Sequence, residues 1–467
     1  VGGLAVAARL AAQRHEVTVL ERSSNTGGVT VPLVKDGFTF SGGAGVLTLP
    51  AVYRDLFLKT GDSLEDTVDL VEVDPATRLV FDGVSVDLPN AARDATAQAL
   101  DAGFGAGSGE AWNHLLARGG EMWDTVRKQF IEVPYAEGDP ARPRSAGTRA
   151  DWRTTVPWRS LRSLGRAFLP DPRLRAYLEH FAVESGGDGR RAPATVAVQP
   201  YLEQTFGLWY VRGGLHRISE ALEERCRGLG VKIHTDTEVV GITRDGPNAS
   251  VDGVRTADGG RFDTDLVVSG AAMQRPKLSP LGTERRGPTS VFALHLAVRD
   301  DGLDLPHRSH FFGTRRGEPT LTVYAPHDAS LAPTGHRAVT VHVRVPRQGS
   351  GGRDWKADGV RDSYAQRLLD QLTERGLPLR DRLLWHESRS PADVEAAGGL
   401  PGGALGGAAF DGLRADLLRT PNRAAVPGLF HVGESAHPGG GLMRVGMSAA
   451  LVAEEIGRAK KKPKKSS

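Results

Sequence analysis

Cysteine is nearly absent from this chain of 467 residues, which has one, and methionine is scarce, with four. A lone thiol excludes an internal disulfide, and no group of Cys and His has the spacing of a zinc site, so no metal is expected. Cys226 lies on the apolar stripe Leu215, Ile218, Leu222, Leu229, the pattern of a buried core thiol and not of a nucleophile. Long apolar runs are missing too; none approaches the roughly 18 residues of a membrane span. No signal peptide is visible, and a reducing cytoplasm is the expected setting. Charge of one sign does not dominate, with 59 basic residues against 56 acidic. Five of the 11 lysines sit in the last nine residues, AKKKPKKSS (459–467), which read as a disordered, solvated appendage. Removing them turns the small positive balance negative, so the pI of about 9.0 gives no reason to expect a nucleic-acid partner.

Half of a glycine fingerprint is lacking as well. The chain opens VGGLAVAARLAAQRHEVTVLERSSNTGG, Val1 to Gly28. Gly2 and Gly3 start a small-residue helix, Leu4 to Gln13, and a β-like run, Glu16 to Leu20, ends on Glu21. This is the second half of a dinucleotide-binding βαβ unit. Helix N–H groups face a pyrophosphate, and an acid closes the second strand against a ribose. Glu21 follows Gly3 by eighteen residues, close to the spacing of about 20 in that fingerprint. The first strand and the first two glycines of G-x-G-x-x-G would precede Val1, so the sequence is expected to begin late. A plain helix–strand pair fits these residues about as well, and the rest of the chain has to decide.

Length alone suggests about two domains. After a turn at Gly27-Gly28, FTFSGGAGVLTLP (Phe38–Pro50) suggests backbone passing close to a ligand. Val71 to Leu88 alternates with a turn at Asp82-Gly83, the pattern of a hairpin. Ser108 to Phe130 predicts a helix with Ser108 as N-cap and Trp112, Leu115, Leu116, Trp123, Val126 and Phe130 on its apolar side. Residues 141–175 hold nine arginines and two aspartates. Within them PWRSLRSLGRAFL, Pro157 to Leu169, sets an aromatic and leucine face beside arginines. That suits a helix in a membrane interface, touching it through Trp152, Trp158, Arg159, Leu161, Arg162 and Phe168. An arginine-rich surface helix packed on its own core is an equal alternative. GLWYVRGGLHRISEALEERCRGLGVKIHTDTEVVGI (Gly207–Ile242) predicts strand end, helix and strands, with further strands over Val251–Asp258 and Arg261–Ser269. Ser290–Val298, Leu321–Ala325 and Ala338–Val345 alternate as an antiparallel sheet, and Arg361–Arg375 is an amphipathic helix. PGLFHVGESAHPGGGLMRVGMSAALVAEEIG, Pro427 to Gly457, is strand, glycine loop and helix, a second place where helix N–H groups can face a polar ligand.

Together these blocks resemble the bacterial phytoene desaturase family, the FAD-dependent carotenoid desaturases within the amine-oxidase-like flavoproteins. The pieces GGLAVAARLAAQRHEVTVLER, Gly27-Gly28, FTFSGGAGVLT, DPRLRAYLEHFAVESGGDGRRAPA, GLWYVRGGLHRISEAL, DASLAPTG and FHVGESAHPGGG run in family order to about Gly457. The resemblance implies an α/β fold, a Rossmann-like FAD-binding domain with an inserted α+β substrate domain. The FAD domain would take residues 1–70, 205–275 and 395–458, and the substrate domain 71–204 and 276–394. Gly2, Gly3 and Glu21 carry over as pyrophosphate and ribose contacts, Gly27 and Gly28 as the phosphate turn, and Gly43 as a flavin neighbour. Val239 carries over as the adenine contact, Gly433 and Glu434 as the ribityl and pyrophosphate contact, and Gly439, Gly440 and Gly441 as the loop beneath the ring.

Departures from the family pattern fall at Val29, Ser41, Met443, Arg444 and the segment Gly270 to Ala272. The resemblance implies a desaturase of phytoene or a related carotenoid that passes hydride to flavin N5. His437 is the candidate base, and oxygen or a quinone the electron acceptor. It also implies peripheral association with the inner face of the cell membrane. A later-step 3,4-desaturase or oxygenase, a polyene reductase or isomerase, and a degenerate non-catalytic member are the alternatives.

Overall fold

Small side chains let the first helix, Gly2–Ala12, lie against three others at once: Ala51–Thr60, His216–Gly228 and Leu442–Ile456. The computed structural model describes residues 1–43, 45–136, 149–156, 158–271, 289–315, 317–349, 353–398, 400–405 and 420–459. Around the first helix run two parallel strand pairs. Thr18–Leu20 pairs with Lys232–His234, and Val267–Ser269 pairs with Leu429–His431. Residues from both chain ends and the middle share this core, including Leu4, Leu10, Leu56, Leu222, Phe430 and Val452. Cys226 is fully buried there, its Sγ donating to Leu4 O at 3.3 Å. Burial pushes the thiol up to about 12, which keeps it protonated and inert.

A seven-stranded mixed sheet forms the second body of structure. Its order is Leu383–Arg389, Thr289–Arg299, His336–Pro346, Leu321–Tyr324, Arg308–Phe311, Thr77–Phe81, Val84–Leu88. The antiparallel pairing expected for its central strands is observed, as is the hairpin at Asp82-Gly83. Strand alternation buries Phe292, Leu294, Leu296, Val339, Val341, Leu321 and Val323 against the helix Val360–Glu374. Helices Arg93–Phe104, Ser108–Val126, Leu161–Phe168, Pro172–Glu184 and Val198–Phe206 build a separate core around Trp112, Leu115, Leu164 and Leu178.

Several local expectations are corrected. Gly107, left-handed at φ 86°, takes the N-cap position before Ser108, and Asp101 Oδ1 accepts from Gly109 N at 2.8 Å in the role Ser108 was expected to fill. The helix that it starts ends at Val126 and gives way to a π turn over Arg127–Ile131, so Val126 and Phe130 are only half-buried. The run Arg261–Ser269 is two strands, because Thr264 bonds to both backbone groups of Leu266 and turns the chain. The arginine-rich segment splits as well. Ser160 caps the helix Leu161–Phe168, Leu161 is fully buried, Phe168 packs half-buried on the helical core, and Arg162 is fork-bonded to Glu179. Those three side chains serve the protein interior, while Trp152, Trp158 and Arg159 stay exposed. The lysines of the tail, Ala272, Pro157 and residues 141–148 of the arginine-rich stretch lie outside the described residues.

Candidate functional site

The glycines at the two ends of the chain meet. A Cβ on Gly2 would lie 3.0 Å from Gly433 Cα and 3.1 Å from Val445 Cγ1, so only hydrogen fits between the first helix and the last glycine loop. Gly3 and Gly43, in contrast, face open space. Gly27 adopts φ 107°, and its Cβ position is hemmed by Thr30 and Ser219. Both turns are therefore held by backbone that tolerates no side chain, next to a void.

That void is a cavity of about 1810 Å³. Gly2, Gly3, Glu21, Gly27, Gly28, Gly43, Val239, Gly433, Glu434, Gly440 and Gly441 all line it. Part of the volume lies between the two parallel strand pairs and is walled by Val6, Leu10, Val19, Leu266 and Val268. The remainder reaches the large sheet. Glu21 stands at the end of its strand with its N–H bonded to His234 O at 2.9 Å and Oε1 accepting from Ser23 N at 3.0 Å. Val239 is 40% exposed where a bulge loosens its strand. Gly439 and His437 do not line the cavity. The His437 ring is buried edge-on to Tyr135 at 6.3 Å, and its carbonyl accepts from Asn422 Nδ2 at 2.8 Å. This places the residue as a support of the glycine loop, set back from the wall.

Side chains that the motifs did not flag complete the wall: His180, Glu184, Glu203, Arg308, Thr322, His342, Arg344 and Arg389. Thr322 Oγ1 lies 3.2 Å from His180 Nε2, 3.0 Å from His310 Nδ1 and 3.4 Å from Glu184 Oε1. One hydroxyl can accept from both rings and donate to the carboxylate. Burial alone would raise Glu184, but His180, with His310 and Arg308, holds its carboxyl well below the usual range. Thr322, His342 and Arg344 fall in strands whose alternation is legible in the sequence, whereas His180, Glu184 and Glu203 come from the helices Pro172–Glu184 and Val198–Phe206.

A helix N-terminus, an acid closing the second strand and glycine turns around one large cavity are the elements of a dinucleotide-dependent oxidoreductase, and the residues present fit a flavin dinucleotide. The chain belongs to the flavin containing amine oxidoreductase family, which it matches over residues 1–457, and its cofactor is FAD. It is 30% identical over 484 residues to the zeta-carotene-forming phytoene desaturase of Myxococcus xanthus, covering 98% of this chain and 92% of that protein. To the 4,4'-diapolycopene oxygenase of Methylomonas sp it is 28% identical over 489 residues, covering 98% and 96%. Among solved structures, an oxidoreductase from Methanosarcina mazei superposes with a TM-score of 0.65 at 19% identity over 97% of this chain and 98% of that one, a likeness of fold. The resemblance to carotenoid desaturases stands on these relatives.

Removing the Glu21 carboxylate is expected to weaken FAD binding about 10- to 100-fold, the worth of a charge-assisted hydrogen bond. Flavin fluorescence released on dilution of Glu21→Ala measures it. Retention equal to the parent would remove Glu21 from the cofactor site.

Proposed function

We propose that this chain is an FAD-dependent desaturase of a long polyene, phytoene or a related carotenoid, working at a membrane surface. The observation that carries the reading is the single cavity that joins the glycine turns to the large sheet. Its volume exceeds the roughly 300–1,000 Å³ of an ordinary small-molecule site, as a cofactor and an extended substrate together require.

FAD, when bound, supplies the hydride acceptor. The chain's own residues orient and exclude water. Gly2 and Gly3, which meet the last glycine loop at Gly433, would hold the cofactor together with Glu21, Glu434 and Gly441. Leu202, Val291, Ala293, Leu405 and Met443 give the inner wall apolar surface. His437, set back from that wall, is given no proton to move. A later-step 3,4-desaturase or oxygenase is the second reading, supported by the likeness to the Methylomonas oxygenase and by the polar stretch of wall.

Membrane contact rests on Trp152 and Trp158, 45% and 61% exposed beside exposed Arg159. Among the described residues no helix is long and apolar enough to cross a membrane. Association would therefore be peripheral, on the inner face, with a quinone or oxygen taking the electrons.

The test mixes FAD-loaded protein anaerobically with phytoene in anionic liposomes. Bleaching of the flavin band near ~450 nm and growth of longer-polyene absorption are expected. Trp152→Ser/Trp158→Ser is expected to lose co-sedimentation with the vesicles. A flavin left oxidised by phytoene, lycopene and hydroxycarotenoids alike would end the desaturase reading.

A further inference from the structure

Strand register places an unusual set of side chains on one face of the large sheet. Arg389 stands opposite Ala293, Ala293 opposite His342, His342 opposite Thr322, and Thr322 opposite His310. This is one continuous row across five strands. One pleat along, Val291 stands opposite Arg344 on the same face. The other face of these strands is the apolar core under Val360–Glu374. The sheet therefore turns its polar face, and not its oily one, toward the cavity.

Two cations in this set lack what buried arginines have elsewhere in the molecule. Arg9 meets Asp55 at 2.8 Å, Arg308 meets Glu203 at 2.7 Å, Arg337 meets Asp300 at 2.9 Å, and Arg375 meets Glu318 at 3.3 Å. Arg344 donates instead to two neutral carbonyls, Leu405 O at 3.2 Å and Glu184 O. Arg389 reaches only Gly42 O, at 3.5 Å. Among the described residues neither forms an ion pair; Glu387, the acid nearest to Arg389 in sequence, is paired with Lys35 at 3.0 Å, and Asp393 is taken by Arg361 and Ser390. Burial holds both guanidiniums below their ordinary value, with the more distant charges of Glu184 and Glu434 opposing it at Arg344 and that of Asp393 at Arg389. A hydrocarbon lying on this wall would leave two cations with only neutral carbonyls as hydrogen-bond partners, at a cost in affinity. An oxygen that only accepts hydrogen bonds would satisfy them, since guanidinium only donates.

The geometry points to a substrate whose polyene carries a carbonyl or carboxylate oxygen that docks on Arg344 and Arg389. This rests on the polyene reading given above and narrows it, from hydrocarbons to chains already oxygenated at one end. An enzyme that installs that oxygen must then act before this one.

The test uses FAD-loaded protein and three ligands of one chain length: a linear polyene hydrocarbon, its terminal aldehyde and its terminal carboxylate. Quenching of tryptophan fluorescence gives each Kd. The oxygenated ligands are expected to bind about 10- to 100-fold tighter than the hydrocarbon. Arg344→Met and Arg389→Met are each expected to remove about tenfold of that advantage while hydrocarbon affinity and flavin content hold. Arg344→Lys, which keeps charge but loses the fork, should fall between and guards against a folding defect in the methionine variant. Equal binding of hydrocarbon and oxygenated chains overturns this inference and leaves the desaturase reading standing. An advantage that survives both methionine variants overturns it too, as does a loss of flavin from them, which would assign the arginines to the cofactor. Should no polyene of any kind bind, the desaturase reading falls and takes this one with it.

Discussion

Arg308→Leu is expected to destabilise the protein by about 3–5 kcal/mol, the cost of leaving one partner of a buried ion pair alone. Arg308 is 3% exposed and Glu203 17%, and the guanidinium holds the carboxylate by two bonds, at 2.7 and 3.3 Å. The pair ties the helix Val198–Phe206 to the strand Arg308–Phe311 at the cavity wall. Burial alone would lower the Arg308 pKa, yet Glu203 holds it above its ordinary value. With the arginine gone, the Glu203 carboxylate loses its cationic partner at a site where it is only 17% exposed. Glu203→Leu/Arg308→Leu should recover most of the loss, because no charge remains to be desolvated. Urea unfolding of the two single variants and the double closes the cycle. A double variant as unstable as Arg308→Leu would mean that packing, and not charge, holds this contact.

Why some of this was readable in the sequence and some was not follows from how each feature is encoded. The cofactor side depends on glycine. Gly2 is needed because Gly433 sits 3.0 Å from where its Cβ would be, and Gly27 because its φ is 107°. Such demands leave a mark at fixed positions, so Gly2, Gly28, Glu21 and Gly441 could be placed together before any coordinates. Strand alternation likewise exposed the large sheet, since a period of two assigns one face to a core.

The polar wall was not found because it comes from pairing register. Arg389 and Thr322 are 67 residues apart in sequence, and only the ladder through Ala293 and His342 puts them in one row. No single segment of the chain carries that information. The segment Pro157–Leu169 left two readings open for a different reason. Its amphipathic pattern is real, but a periodic apolar face does not say whether lipid or protein covers it. Here Leu161 and Leu164 are covered by the protein's own helices.

The same buried ladder makes acid stability predictable. Between about pH 6.5 and pH 4 the protein should lose stability steeply, and histidines, not carboxylates, should be the cause. His295 is 2% exposed, and burial, with the charges of His342 and Arg389 adding to it, pushes its pKa down to about 3. His310, 1% exposed, is held well below its ordinary value by burial first and then by His180 and Arg308, with Glu184 opposing. His307 and His342 are pushed to about 4, chiefly by burial, but are only half-buried and so contribute less. In the unfolded chain all four take a proton near pH 6.5, while the folded protein refuses it until far lower pH. The unfolded state therefore binds more protons across this window, and stability rises with pH. Each fully buried histidine adds a slope of about 1.4 kcal/mol per pH unit, so His295 and His310 together give roughly 3, against a total stability of about 5–15 kcal/mol. Glu184 acts in a separate window. Its depressed carboxyl pKa gives stability that is fully present above about 4.5 and lost only as the pH falls further. Replacing His295 by Phe, next to the Phe40 ring 5.1 Å away, removes one titrating group and keeps an aromatic in the core. Urea midpoints from pH 7 to pH 4.5 should then show a slope lower by about 1.4 kcal/mol per pH unit. An unchanged slope in that variant would show that His295 does not titrate with unfolding.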